Sequence, residues 1–307
     1  MRLFDLHCDT LYRAFTENKS IISNDFEISV DMGEVFDEWI QCMAVWIPDD
    51  VRGENAERLV ENCYRLLLSE LEKCNEQKRS VKKTDSVSDI KSKSNIMITI
   101  EGGAALNGKL ENIEKYRKFG VRAMTLTWNG RCEIGDGADV ENPKGITGFG
   151  REAVREMERC GIVVDVSHAS DRLFFDVAEI AKRPFIATHS NSRTVCPHRR
   201  NLTDEQFEII KSSGGIVGIN FHRHFLAESN PSIKDIIKHT EYFLSLGGEN
   251  TVAIGSDFDG GELSDDMNSI ADMHKISDEF ARLNYSETLI DKLFFKNAYN
   301  FYQSFDN

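Results

Sequence analysis

No stretch of this 307-residue chain stays apolar and uncharged for the ~20 residues a membrane-spanning helix needs, so no span is expected. The seven cysteines include no Cys-x-x-Cys pair, and their number is odd. Both facts argue against a disulfide framework and for reduced thiols. Basic charge is in deficit: 37 Lys and Arg against 51 Asp and Glu leave a net charge of −14. Binding to a phosphate backbone rests on clustered Lys and Arg, so no nucleic-acid partner is expected. The glycines of GITGFG match neither phosphate-cradling spacing. Internal repeats and low-complexity linkers are also missing, which leaves one domain over residues 1–307 as the expectation. The opening residues enter a strand at once, with no room for a charged and then apolar leader. A cytoplasmic protein with no membrane partner is the resulting expectation.

Five apolar runs each end in a carboxylate or an imidazole: Leu3–Asp9, Ile96–Glu101, Ile162–His168, Phe185–His189 and Val252–Asp257. Short strands that finish on metal-binding side chains deliver ligands to one mouth, as in a (β/α)8 barrel with its site at the C-terminal strand ends. Strands are expected near 2–8, 40–47, 96–101, 121–127, 162–167, 185–189, 215–221 and 252–256. Amphipathic helical patterns fall between them, such as Ala56–Lys73 and Glu287–Phe301. The fold class is therefore α/β, a TIM barrel with long loops at its C-terminal face. Those loops are expected at 12–39, 129–148, 190–202 and 258–284, all without regular periodicity.

His7 and Asp9 lie two apart on a strand and point the same way. Asp9 can instead be read as a helix cap before Thr10. Glu101 closes an apolar run, where a carboxylate is costly to bury without a positive partner, either a salt bridge or a metal. His168 and His189 each end a strand, a place where a hydrogen-bonded core histidine is the blander reading. Taken together, the four strand ends suit imidazole and carboxylate ligation of zinc, with two metals sharing a carboxylate roughly 3.5–4 Å apart. Asp257 in GSDFDGG is placed to exchange a proton with a metal-bound water, and Asp259 reads as structural. The arginines of HRRN (198–201) read as a surface patch or as a carboxylate fork on the active face. His222 and His224 follow the seventh strand as pocket-lining or capping residues.

With DLHCDT, EGG, DVSHAS, THS…RRN and GSDFDG in place, the chain resembles the membrane (renal) dipeptidase family of zinc metallopeptidases over nearly its whole length. The resemblance implies a two-zinc barrel. His7 and Asp9 would hold one ion, His168 and His189 the other, and Glu101 would bridge them; other divalent metals are open. It also implies Arg200 as anchor for the substrate carboxylate and Asp257 as acid/base, with a metal-bridging hydroxide expected to attack free dipeptides; whether these include dipeptides ending in a D-residue is open at the level of sequence. A homodimer is implied by the resemblance alone. Two positions depart from the family pattern. Trp128 stands where mammalian-type members carry a carbonyl-polarising His, and His222 stands where a substrate-lining Tyr is expected. Trp offers only an indole N–H, so substrate preference is more in question than reaction type. The alternatives are another amidohydrolase-type metal hydrolase, disfavoured because VRAMTLTW contains no Lys, or a non-catalytic metal- or small-molecule-binding homologue.

Overall fold

The computed structural model describes residues 1–90 and 92–306. Among the described residues eight strands run in parallel: β1 (Arg2–Asp5), β2 (Glu38–Trp46), β3 (Val81–Lys83), β4 (Ser94–Glu101), β5 (Ala123–Thr125), β6 (Val163–Asp165), β7 (Val217–Ile219) and β8 (Val252–Ile254). Seven of them form a curved sheet in the order β6-β5-β4-β2-β1-β8-β7, and β3 pairs with the start of β4. The gap between β6 and β7 is closed by residues 185–189, where Ile186 bridges to Asp165 and Ala187 to Val217. The barrel thus has eight staves, the sixth held by single bridges instead of a full strand. Nearly all stave residues are buried, as expected when side chains fill a closed barrel and helices cover it outside.

The expected helices fall where the apolar spacing places them, and further helices form in segments expected to be loops. Glu54–Glu76 extends the expected 56–73 helix at both ends. Within the segment expected to be a loop, Met273–Arg282 is a helix, burying Met273, Ile276 and Phe280 at helical spacing. The first expected loop likewise begins as a helix, Thr10–Glu17. Residues 129–147 and 190–202 have no extended regular element, as expected.

The expected 287–301 helix is three consecutive segments: an α-turn at Glu287–Asp291, a wider π-helical turn at Lys292–Lys296, and an α-helix at Asn297–Asp306. The wide turn lets adjacent phenylalanines serve different clusters. Phe294 joins the outer core, while Phe295 joins Ala298, Phe301, Tyr302 and Phe305 against Phe4, Ile40, Ala123, Val163 and Ala253. Tyr302 stacks on Phe4 with centroids 5.5 Å apart. This helix plugs the N-terminal end of the barrel, and Arg122 pairs with Asp306 there. The opposite end is left open for a site.

Candidate active site

All five expected ligands and Asp257 meet at the C-terminal mouth. His7, Asp9, Glu101, His168, His189 and Asp257 are each less than 8% exposed. The helix-cap reading of Asp9 is not borne out, because its side chain makes no cap hydrogen bond to the Thr10–Glu17 helix. Its Oδ1 is instead buried without a partner, as is His7 Nε2. Around His7 Nε2 stand Asp9 Oδ2 at 3.5 Å, Glu101 Oε2 at 3.6 Å and Asp257 Oδ1 at 3.8 Å. Burial works against a charged imidazole, but the surrounding carboxylates prevail and lift His7 to about 10. A proton is held there by the same field that would hold a divalent cation.

The other oxygen of Glu101 faces the other way. Oε1 lies 2.7 Å from His168 Nε2 and 3.5 Å from His189 Nε2, and the two Nε2 atoms are 2.9 Å apart. Burial, with cationic neighbours, keeps both imidazoles far below their usual pKa and therefore neutral. Their outer nitrogens show where the single protons sit. His168 Nδ1 lies 2.8 Å from Asn129 Oδ1, which can only accept. His189 Nδ1 lies 2.8 Å from Thr188 Oγ1, whose own proton goes to Asp165 Oδ2 at 2.6 Å. Both Nδ1 atoms therefore carry hydrogen, and two bare Nε2 lone pairs face one another beside a carboxylate. That arrangement repels itself unless a cation or a shared proton lies between. Burial and Asp9 push Glu101 well above the carboxylate range, so it ionises only against positive charge. The donor sets His7–Asp9–Glu101 and Glu101–His168–His189 each gather their ligand atoms within 4.8 Å of one another. Two metal ions sharing Glu101 fit these residues.

Beneath the ligands lies a fixed polar layer. Asp165 accepts from Thr125 and Thr188 hydroxyls and from the Ser167 and Thr188 amides. Asp5 accepts from Gln41 Nε2 and from the Ser256 amide and hydroxyl. His168 and Asp257 both adopt left-handed backbone, at φ 65° and 64°. For non-glycine residues this costs on the order of 1–3 kcal/mol each and marks places where the structure dictates side-chain direction. Asp257 is fixed further by Asn220, whose Nδ2 donates to Oδ2 at 2.8 Å while its Oδ1 accepts from the His222 amide. Burial raises Asp257 to about 6, against the pull of His7 and the Asn220 donor. Gly260 is required by contact: a Cβ there would overlap Asp9 Oδ2 and Asp257 Oδ1.

Of the HRRN pair, Arg199 turns outward to Ala138 O and Asp139, while Arg200 turns inward and is 5% exposed. Among the described residues no carboxylate oxygen comes within 4.0 Å of Arg200, and its Nε is buried without a partner. Its contacts are a weak 3.5 Å bond to His189 O and the Phe225 ring at 5.4 Å. Trp128 and His222 both line the cavity over the ligands, whereas His224 does not. That cavity measures about 300 Å³. Burial, with His224 and Arg200 nearby, lowers His222 to about 4 and keeps it neutral. Asp259 is structural: it accepts from Thr10, Arg13 and the Glu27 amide, tying the 18–30 segment to the mouth. Sequence reasoning missed Asn129, Thr188, Asp165, Asn220 and Gly260. All five sit within three residues of a singled-out position.

Imidazoles and carboxylates gathered at the open end of a parallel barrel define a metal-dependent hydrolase. Residues 1–305 match the family model described as membrane dipeptidase, peptidase family M19, and the chain belongs to that family. An uncharacterised Klebsiella pneumoniae protein is 33% identical over 209 residues, 64% of this chain and 77% of that protein. Dipeptidase 3 of Mus musculus is 31% identical over 171 residues, 53% of this chain but 35% of the mouse protein. An uncharacterised dipeptidase of Schizosaccharomyces pombe aligns over 41% of its length. Among solved structures, a Rhodobacter sphaeroides metallopeptidase bound to a phosphinate mimic of L-Ala-D-Ala superposes with a TM-score of 0.89. It is 24% identical, with 99% of each chain covered, and shares the fold. A structure described as dipeptidase AC, a metallopeptidase of the same family, gives 0.89 at 25% identity over 99% and 98% of the chains. No described helix is long and apolar enough to cross a membrane.

Proposed function

We propose that this chain is a binuclear zinc dipeptidase acting on free dipeptides, including those with a D-residue in second position. The observation that carries the reading is Glu101, whose two oxygens face two separate donor pairs. His7 and Asp9 would hold one ion, His168 and His189 the other, and Glu101 both. Such ions supply Lewis acidity and a water that ionises near neutral pH.

The remaining work falls to the chain. Asp257, with Oδ2 tied to Asn220 and Oδ1 facing the mouth, takes a proton from the attacking water and hands it to the leaving amine. Water oxygen bonds to the peptide carbon as the C–N bond breaks, so the proton ends on the new amino group. Arg200, buried without an anionic partner, receives the substrate's free carboxylate. Asp9 and Asp257 receive the free amine. A cavity at the low end of the ~300–1,000 Å³ of small-molecule sites suits a dipeptide. The phosphinate dipeptide mimic on the Rhodobacter protein supports the same substrate class and a D-residue at its second position. Seven cysteines without a disulfide support a cytoplasmic setting.

The test is hydrolysis of L-L and L-D dipeptides by zinc-loaded protein. Chelator-sensitive cleavage of free dipeptides, with amidated and N-acylated ones spared, is expected. Two bound metals without turnover of any dipeptide would overturn the reading in favour of another hydrolase substrate or a binding role.

A further inference from the structure

One wall of the catalytic cavity is aromatic, and neither the ligand set nor the proton path uses it. Tyr12 follows β1, Trp46 ends β2, Trp128 follows β5, and all three line the cavity. Their rings meet edge to face. Tyr12 and Trp46 lie 4.9 Å apart at 72°, and Trp46 and Trp128 lie 4.9 Å apart at 63°. This geometry is favourable for aromatic pairs, so the rings brace one another into a fixed surface. Trp46 Nε1 is buried without a partner, so Trp46 turns ring carbon to the cavity and not its N–H.

The position of the wall around the barrel decides what it faces. In the ring β1, β2, β4, β5, β6, 185–189, β7, β8, the second stave stands opposite the sixth. Trp46 ends the second, and Arg200 follows the sixth. A dipeptide held by its carboxylate at Arg200, with its peptide bond over Glu101, would extend its first residue toward Trp46. Its amine would then lie beside Asp9, which follows β1, and Asp257, which follows β8.

Charge at the rim decides the kind of side chain. Arg13 lines the same cavity and is engaged by Glu17 at 2.8 Å and Asp259 at 3.1 Å. Glu17 also pairs with Lys19 at 3.0 Å. Glu17 and Asp259 are thus already paired, and a basic substrate side chain on that side of the rim would meet the Arg13 guanidinium. An acidic one would face the electron-rich ring surfaces, and a basic one would gain cation–π attraction there only against the repulsion of Arg13.

We infer that Tyr12, Trp46 and Trp128 form a specificity wall selecting dipeptides whose first residue is large and apolar or aromatic, an inference that rests on the dipeptidase reading. The test measures kcat/KM on X-Ala dipeptides, with X as Phe, Leu, Ala, Asp or Lys, for zinc-loaded wild type, Tyr12→Ala, Trp46→Ala and Trp46→Leu. The last variant keeps apolar bulk should the alanine variant fail to fold. Wild type is expected to favour Phe-Ala and Leu-Ala over Ala-Ala by at least roughly tenfold, the scale of small apolar differences in a fitted pocket. Asp-Ala and Lys-Ala should trail. The Phe-Ala to Ala-Ala ratio should fall toward one in Tyr12→Ala and in whichever Trp46 variant folds. A flat X-Ala profile, or a preference that survives these substitutions, would overturn the inference while leaving the dipeptidase reading intact. Failure to cleave any X-Ala substrate would overturn both.

Discussion

Arg200 is the residue whose replacement separates substrate anchoring from architecture most cleanly. Its guanidinium is buried, its Nε has no partner, and its one backbone contact is 3.5 Å long. A buried donor left unsatisfied costs about 1–3 kcal/mol of stability. Arg200→Met keeps most of the packing against Phe225 and removes that cost. The melting temperature of the zinc-loaded protein should therefore hold or rise. Activity should move the other way. Removing one partner of a buried, hydrogen-bonded charge pair costs about 2–5 kcal/mol. At 1.36 kcal/mol per decade, that is a loss of roughly 30- to 5,000-fold in kcat/KM on a free dipeptide. The assay compares each free dipeptide with its C-terminal amide in both proteins. Wild type should discriminate strongly and the variant hardly at all. Undiminished preference for the free acid, or a melting point lowered by many degrees, would refute the anchoring argument and make Arg200 a structural cation.

Two further perturbations probe the surroundings of the site. Burial raises Glu27 to about 7, with Asp259 adding to the rise and its amide hydrogen bond opposing it. The folded state therefore holds a proton that the unfolded state releases near 4.5. Stability falls as pH climbs from about 4.5 to 7, and the full penalty persists above that. Glu27→Gln should thus raise the melting temperature at pH 8 and change it little at pH 5; an equal shift at both would contradict the linkage. Thr188→Val removes the hydroxyl between His189 Nδ1 and Asp165. Loss of such a partner typically weakens metal binding about 10–100-fold, to be read by zinc competition with a chromophoric chelator; unchanged affinity would deny the relay.

The sequence carried the barrel because its strands are short, apolar and punctuated, and the convergence of the candidate ligands was legible because they terminate those strands. The sixth stave was legible as FIATH even though only isolated bridges hold it, since alternation and burial survive where ladder pairing does not. Met273–Arg282 went unread although Met273, Ile276 and Phe280 stand three and four apart, because the preceding acidic and glycine-rich stretch has the composition of a loop. β3 escaped because three residues give no periodicity. The residue types alone could not separate the inward turn of Arg200 from the outward turn of Arg199, since adjacent arginines look alike until the loop is folded; only the family resemblance singled out Arg200. Asn129, Thr188 and Asn220 were missed for a related reason. Each holds one of the candidate ligands, or Asp257, from behind, and common polar residues beside a recognised motif leave no mark of that role.

The central claim, one carboxylate serving two metal ions, is tested most directly by counting zinc. Equilibrium dialysis followed by elemental analysis should find two zinc ions per wild-type chain and fewer in Glu101→Gln, which leaves His7, Asp9, His168 and His189 in place. One ion in wild type, or two retained at undiminished affinity in Glu101→Gln, would contradict the bridged pair.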